Sequence, residues 1–185
     1  MNAKGRGNML QINIMTEGLS QGEQAKVLLA ENHIRRAVNS FEFNQFVLNF
    51  QYRYTYYTGF WRWKTAHVVS NNCFIDNDGL SNREVYEKIM SGAETLYPEI
   101  DNEADMFLRI DRHNKRGVLG YTYPNSKFQY IYNWFFKKAT YKQIAGSLVH
   151  EYCHKQGFIH DFKRTARRPY SVPYQVGNWI ANYAY

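Results

Sequence analysis

The chain is poor in cysteine and has no long apolar run. Its 185 residues include only two cysteines, Cys73 and Cys153, too few for a disulfide framework. Gln11, Asn13 and Thr16 interrupt the first apolar stretch, which is therefore unlike a secretory signal peptide. No stretch approaches the roughly 20 apolar residues that a membrane-spanning helix needs. These absences favour a cytoplasmic protein, or one released without a signal peptide, and predict no membrane partner.

Internal repeats, low-complexity segments and linkers are also lacking. Hydrophobic residues make up 44% of the chain, which excludes wholesale disorder. The length suits one domain with a sizeable core. We therefore expect a single α/β domain over residues 1–185.

Basic residues exceed acidic ones by 23 to 16, so the formal net charge is +7. Such a charge attracts acidic partners, including nucleic acid, anionic surfaces and acidic protein segments. The densest basic cluster, residues 163–168, could orient an acidic substrate or form a solvated loop. Aromatic residues reach 17% and concentrate at 52–57 and 60–63, which predict two strands joined at Thr58-Gly59. Bases could stack on such aromatics, but a half-buried sheet is favoured, and nucleic acid is the weaker prediction.

The most informative segment is residues 150–160, which reads H-E-x-x-H-x-x-G-x-x-H. His150 and His154 are four apart and project from one face of a helix. Gly157 can adopt the left-handed conformation that ends helices, and the turn can return His160 to the same metal ion. Three imidazoles leave the fourth position of zinc open, as in catalytic sites. Glu151 is placed to act as the base for a water molecule there.

Other interpretations of this segment are weaker. A lone H-E-x-x-H occurs by chance in many chains, but the added glycine and third histidine make chance a poor explanation. A structural zinc site would close its fourth position, usually with cysteine. Cys153 could ligate zinc, although burial as a small apolar side chain is favoured.

The helix that carries the motif can be traced from its start. Thr140 and Gln143 fit a capping box. An apolar stripe follows at helical spacing and should face the core; it consists of Tyr141, Ile144, Ala145, Leu148 and Tyr152. His150 and His154 lie on another face, so the helix should line a cleft.

This segment resembles the metzincin group of zinc metallopeptidases, which share the full motif. The resemblance implies His150, His154 and His160 as zinc ligands and Glu151 as general base, and Asp161 follows the third histidine as in the adamalysin-like branch. Upstream, residues 117–124 look like the strand at the upper rim of the metzincin cleft, followed by a strand at 129–133. The implied fold is a twisted, mostly parallel sheet with an antiparallel edge strand. It has an upper subdomain of about 9–157 and a small C-terminal subdomain of about 158–185.

One departure concerns the methionine turn beneath the zinc. Metzincins often have Ser-x-Met-x-Tyr there, but no methionine follows His160, and Ser171-Val172-Pro173-Tyr174 stands at the matching place. Val172 or Pro173 is expected to form the floor of the site. Tyr174 keeps the hydroxyl that some family members place near the metal, with Tyr170 as a weaker candidate. A gluzincin assignment fits worse, because no glutamate follows Glu151.

Periodicity and capping residues complete the expected order of elements. Further strands are predicted at residues 9–14, 46–57 and 105–110, and a loop at 71–79. Helices are predicted at about 23–38 with Ser20 as N-cap, at about 80–96, and after Val172. The buried face of the first helix is predicted to comprise Ala25, Leu28, Leu29, Ile34 and Val38.

The sequence thus predicts a zinc-dependent endopeptidase in which Glu151 activates water, and Tyr174 donates a hydrogen bond to the oxyanion. A peptide or protein substrate would lie extended along the rim strand near Tyr121 and Tyr123. Two alternatives remain open. One is a zinc hydrolase of non-peptide amide bonds. The other is a module that binds nucleic acid or an acidic partner and retains a residual zinc site.

Overall fold

The computed structural model describes residues 9–60, 63–113, 115, 117–123 and 125–184. The elements in chain order are β1 (Gln11–Thr16), α1 (Gln21–Val38), α2 (Phe41–Leu48), β2 (Tyr52–Thr58), β3 (Thr65–Asn71), α3 (Asn82–Met90), β4 (Glu103–Asp111), β5 (Gly120–Thr122), β6 (Phe128–Tyr132), α4 (Asn133–Lys138), α5 (Tyr141–Lys155), a short 3-10 helix (Arg168–Tyr170) and α6 (Val172–Asn182).

The main sheet has four strands in the order β1-β4-β6-β5. β1 and β6 both pair with β4 in parallel, whereas β5 pairs with β6 in the antiparallel direction and forms an edge of the sheet. β2 and β3 form a separate antiparallel hairpin. The predicted α/β class and the mostly parallel sheet with an antiparallel edge strand are confirmed.

The core lies between this sheet and the helices α1, α5 and α6. α5 contacts α6, α1, β5 and β6, and its predicted stripe is buried at Ile144, Ala145, Leu148 and Tyr152. The sheet contributes Leu108 and Ile131 to the same core. One face of α5 is therefore fixed against the sheet while another remains for the histidines.

The strand predicted at 46–57 is wrong over its first part. Residues up to Leu48 belong to α2, whose N-cap Ser40 accepts a hydrogen bond from the backbone amide of Phe43. The helix buries Phe43 and Val47, so the aromatic pattern here has helical spacing, and the strand begins only at Tyr52.

The second strand of the predicted aromatic hairpin is also misplaced. The partner of β2 is β3, which begins at Thr65, so the cluster at 60–63 precedes it. Within that cluster Trp61 and Arg62 lie outside the described residues. Phe60 and Trp63 are exposed, and they do not belong to a strand.

The buried face of α1 differs from the prediction. Leu28 and Leu29 are 56% and 54% exposed, and Ala25 is exposed as well. Ile34 and Val38 are buried as expected, together with Val27, Ala30, His33 and Ala37. The buried side chains Ala30 and Ala37 are small. His33 Nε2 hydrogen-bonds the carbonyl of Ile180 at 2.8 Å, so this face of α1 includes a polar contact that a hydrophobic pattern does not predict.

The other elements differ from the predictions mainly in length. Ser20 and Ser81 cap α1 and α3 as predicted, but α3 ends at Met90 rather than near 96. The rim strand, predicted at 117–124, spans only Gly120–Thr122 in the structure. Predictions that involve the first eight residues, Arg116 and Pro124 lie outside the described residues.

Both cysteines are free, and Cys153 is buried, as predicted. No helix in the described part of the chain is long and apolar enough to cross a bilayer.

Candidate metal centre

The site is built on the C-terminal half of α5 and the turn that follows. The helix starts with the predicted capping box of Thr140 and Gln143. It ends at Lys155 with Gln156 as C-cap, and Gly157, the next residue, has a φ of +90°. The amide of Phe158 donates to the carbonyl of Cys153 at 3.0 Å, and the amide of Gly157 donates to that of His154 at 3.0 Å. This pair of bonds is a Schellman motif, and it reverses the chain so that His160 returns toward the helix.

The three histidines of the motif come together. One ligand atom from each of His150, His154 and His160 lies within 4.8 Å of the others, and Nε2 of His154 is 3.2 Å from Nε2 of His160. Among the described residues, no other group of three or more potential metal ligands lies this close together. The sequence spacing alone predicted it.

In each ring, one nitrogen contacts a backbone carbonyl, and this contact leaves the other nitrogen free to bind a metal. Nδ1 of His154 lies 2.7 Å from the carbonyl of Phe158, and Nδ1 of His160 lies 3.1 Å from that of Asp161. The ring of His150 hydrogen-bonds the carbonyl of Pro173. A carbonyl oxygen only accepts, so each ring must donate its proton outward. The inward Nε2 atoms of neutral His154 and His160 then carry lone pairs, and their 3.2 Å contact is not a hydrogen bond. A cation between the rings would relieve the repulsion of these lone pairs, so the residues fit a metal ion.

The electrostatic environment keeps these imidazoles neutral. Burial is the first cause that lowers the pKa of His150 well below its usual value, with His154 and His160 adding to the effect. Burial likewise lowers the pKa of His154 to about 4 and lowers that of His160. The positive charge of Arg168 contributes in all three cases. Neutral imidazole is the form that binds metals, so no ligand has to lose a proton at neutral pH.

Glu151 follows His150 directly on α5, and its side chain is buried, with only 6% exposed. Burial raises the pKa of its carboxyl to about 8. Gly120 of β5 lies close by. A Cβ at Gly120 would lie 3.6 Å from Oε1 of Glu151 and only 2.5 Å from the carbonyl oxygen of Tyr130. The close approach of the Tyr130 carbonyl therefore requires glycine at this position, while the carboxylate is at ordinary contact distance from the rim strand. This role of Gly120 was not predicted, although a glycine inside a strand signals close approach.

The segment after the basic loop closes the site from the other side. Ser171 is the N-cap of α6, so Val172, Pro173 and Tyr174 form its first turn rather than a turn ahead of the helix. Val172 and Pro173 are buried. The Tyr174 ring lies 4.7 Å from the His150 ring and 4.9 Å from the His160 ring, measured between centroids. The structure thus brings Tyr174 to the histidines.

Two glycines allow α6 to lie this close to α5. A Cβ on Gly177 would be 2.7 Å from the carbonyl oxygen of Gly146 and 3.0 Å from Cβ of His150. A Cβ on Gly146 would be 2.5 Å from the carbonyl oxygen of Gly177. The two helices cross where neither has a side chain, and this crossing places the Pro173 carbonyl next to His150. Neither glycine was identified from the sequence.

Other candidates from the sequence lie away from the histidines or have partners of their own. The hydroxyl of Tyr170 donates to the carbonyl of Arg53 at 3.2 Å, and its ring stacks on Tyr52 and Tyr54. The Cys153 thiol is fully buried, which raises its pKa, and it is not in the metal-ligating cluster. Arg167, in the basic loop, pairs with Asp76 and Asp161.

Comparisons with protein-family models, with curated proteins and with solved structures find no match. The chemistry of the site therefore rests on its own geometry, a cluster of three histidines that could hold a metal ion.

Proposed function

We propose that this protein is a zinc-dependent endopeptidase of metzincin-like architecture. The observation that carries the proposal is the convergence of three imidazoles that are neutral and oriented by backbone carbonyls. The buried Glu151, which follows His150 directly on the same helix, supports it. A structural metal site does not require a general base. The chain would form one domain, with residues of about 9–157 above the cleft and about 158–185 below it.

Zinc is the metal that this ligand set favours. Three imidazole nitrogens without thiolate or carboxylate are typical of catalytic zinc sites, and they leave one position open. When bound, zinc would supply Lewis acidity to polarise a substrate carbonyl and to acidify a water molecule.

Glu151 would move the proton in this reaction. It follows His150 on α5, and its carboxylate would accept a proton from the attacking water, then pass that proton to the leaving amine. Without metal the raised pKa keeps the carboxyl protonated at neutral pH. A divalent cation nearby favours the ionised form, so the carboxyl would become a base when the site is loaded.

Tyr174 and β5 would handle the substrate. Tyr174 lies against two ligand rings, from where its hydroxyl would donate a hydrogen bond to the developing oxyanion. β5 is an edge strand, and an extended peptide would add to it through backbone hydrogen bonds. The exposed ring of Tyr123 follows β5 directly and would contact side chains of that peptide.

Cleavage of a peptide library by the purified protein tests this proposal. We expect cleavage with zinc, loss of cleavage with a chelator, and recovery when zinc is restored. Glu151→Gln should retain zinc but lose about 10²–10⁴-fold in turnover. The matched control is Glu87→Gln, because Glu87 is exposed on α3, and it should leave turnover unchanged. A protein that binds zinc but cleaves only non-peptide amides would assign the same machinery to the alternative hydrolase.

A further inference from the structure

Arg168 places a positive charge next to the candidate metal centre. Its guanidinium carbon lies 5.0 Å from the centre of the Tyr174 ring, and that ring lies 4.7 Å from the ring of His150. The guanidinium and the ring of His150 therefore contact the same aromatic side chain.

In the part of the chain that the structure describes, Arg168 has no carboxylate partner. Its neighbour Arg167 pairs with Asp76 and Asp161, whereas no carboxylate of the described residues lies within ion-pair distance of Arg168. One terminal nitrogen of Arg168 donates to the carbonyl of Phe162 at 3.2 Å. Its Nε is buried and has no hydrogen-bond partner among the described residues. A carboxylate beside the guanidinium would supply the negative charge that the described residues do not place there.

The backbone of Arg168 is held in place. Its amide donates to the Thr165 hydroxyl at 3.2 Å, and the residue begins the short 3-10 helix with Pro169 at its second position. Stacking on Tyr174 restrains the side chain as well. A guanidinium fork fixed in this way matches a carboxylate, which it can bind through two parallel hydrogen bonds.

We propose that Arg168 binds a substrate carboxylate beside the scissile bond, so that the enzyme selects substrates with an acidic group at this position. The carboxylate would come from an aspartate or glutamate flanking the bond or from a free chain terminus. This inference rests on the proposed zinc peptidase, because it assigns the substrate class of the same site. It also gives one residue of the basic loop a specific role, and leaves its neighbours as solvated or internally paired charges.

Matched peptides test the selectivity. The peptides differ by one residue, glutamate or glutamine, on either side of the scissile bond, and a further pair ends just after the bond with a free or an amidated terminus. We expect kcat/KM to favour one carboxylate form by about 10- to 100-fold, as for hydrogen bonds to a charged group. Arg168→Met should reduce that ratio to nearly one, and Arg168→Lys should give an intermediate ratio. The control Arg164→Met, in the same exposed loop, should leave the ratio unchanged.

A binding measurement makes the result independent of turnover. Succinic acid monohydroxamate and its amide counterpart share a zinc-binding group but differ in the carboxylate. Calorimetry on the zinc-loaded protein should show tighter binding of the carboxylate form, and Arg168→Met should abolish the difference.

The outcomes separate this inference from the proposed function. Peptide cleavage without discrimination between glutamate and glutamine or between the two termini, or discrimination that survives Arg168→Met, would overturn the role of Arg168 and leave the peptidase intact. If no peptide is cleaved, the proposed function fails, and the binding of the two hydroxamates tests the inference. Equal affinity for the two compounds would overturn the role of Arg168. A preference for the carboxylate form that depends on Arg168 would uphold a carboxylate site in a different zinc hydrolase.

Discussion

The ammonium group of Lys155 lies 3.0 Å from the carboxylate of Glu94, and both side chains are buried. Lys155 directly follows the ligand His154 on α5. The same ammonium donates to the carbonyls of Ser126 at 2.9 Å and Lys127 at 3.0 Å, in the connection between β5 and β6. One buried cation therefore connects the end of α5 to the β5–β6 hairpin.

Removing one partner of this pair should destabilise the fold strongly. Lys155→Met would leave Glu94 buried without its cation, which typically lowers the free energy of unfolding by about 3–5 kcal/mol. The double variant Lys155→Met/Glu94→Leu should regain much of that loss, because it leaves no unpaired charge. Urea denaturation measures both. Glu17→Gln is the control: it breaks the exposed pair with Arg109 and should lower the free energy of unfolding by less than about 1 kcal/mol. A single variant as stable as wild type would show that the pair contributes little.

The local determinants of the site could be predicted from the sequence because they act within a few residues. The capping box at Thr140 fixes where α5 starts, Gly157 fixes where it ends, and the spacing of the histidines fixes their faces. These features depend on residues that are close in sequence, so they can be predicted directly from the sequence.

The features that depend on long-range packing could not be predicted. Leu28 and Leu29 are exposed although they are more hydrophobic than the buried Ala30 and Ala37, so the buried face of α1 does not follow from the hydrophobicity of its own residues. Gly177 acts on His150 from another helix, and nothing near it in sequence shows this. The aromatic residues before β2 are compatible with both a strand and a helix pattern. In the structure they form α2, which Ser40 caps.

The Gly146–Gly177 crossing should be sensitive to a single methyl group. Gly177→Ala would place Cβ 2.7 Å from the Gly146 carbonyl oxygen, so α6 must move away from α5. Overpacking of this kind lowers the free energy of unfolding by about 1–3 kcal/mol. The shift would also carry the Pro173 carbonyl away from His150, and we expect weaker zinc binding in a chelator competition assay.

Gly22→Ala is the matched control for this variant. A Cβ at Gly22, in the first turn of α1, would contact nothing within 4 Å. It should leave zinc affinity unchanged and raise stability by at most about 1 kcal/mol. Equal zinc affinity in Gly177→Ala and wild type would mean that the helix crossing does not position His150.

Glu151 should make the metal-free protein less stable as pH rises. Its carboxyl pKa is about 8 in the folded chain against an ordinary value of 4.5, so between these pH values the unfolded chain releases a proton that the folded chain retains. Stability therefore falls as pH increases through this window and levels off above pH 8. The full effect is at most about 5 kcal/mol, since one pKa unit corresponds to about 1.4 kcal/mol.

Glu151→Gln isolates this contribution, because the amide does not titrate. Urea denaturation in the presence of a chelator should show that the variant gains stability over wild type from pH 5 to pH 9. Other titrating groups are common to both proteins and cancel in the difference. Glu87→Gln, at an exposed position, should follow wild type at both pH values. Parallel pH profiles for Glu151→Gln and wild type would contradict the raised pKa.

Tyr174→Phe should lower turnover more than substrate binding. The phenylalanine ring preserves packing on His150 and His160, but it removes the hydroxyl that we assign to the oxyanion. The loss of such a donor typically reduces kcat by about 10²–10³-fold. KM and zinc content should change little, because the lost hydrogen bond acts mainly in the transition state. Steady-state kinetics with metal analysis on the same samples measures these quantities.

Tyr170→Phe provides the control at the neighbouring tyrosine. Its hydroxyl donates to the carbonyl of Arg53, so its loss should lower the free energy of unfolding by about 0.5–1.5 kcal/mol and leave kcat unchanged. The two tyrosines are four residues apart, and opposite effects on kcat and stability would assign catalysis to Tyr174 and support of the β2–β3 hairpin to Tyr170. If Tyr174→Phe turns over at the wild-type rate, its ring only packs against the ligands. The oxyanion would then need a donor other than the Tyr174 hydroxyl.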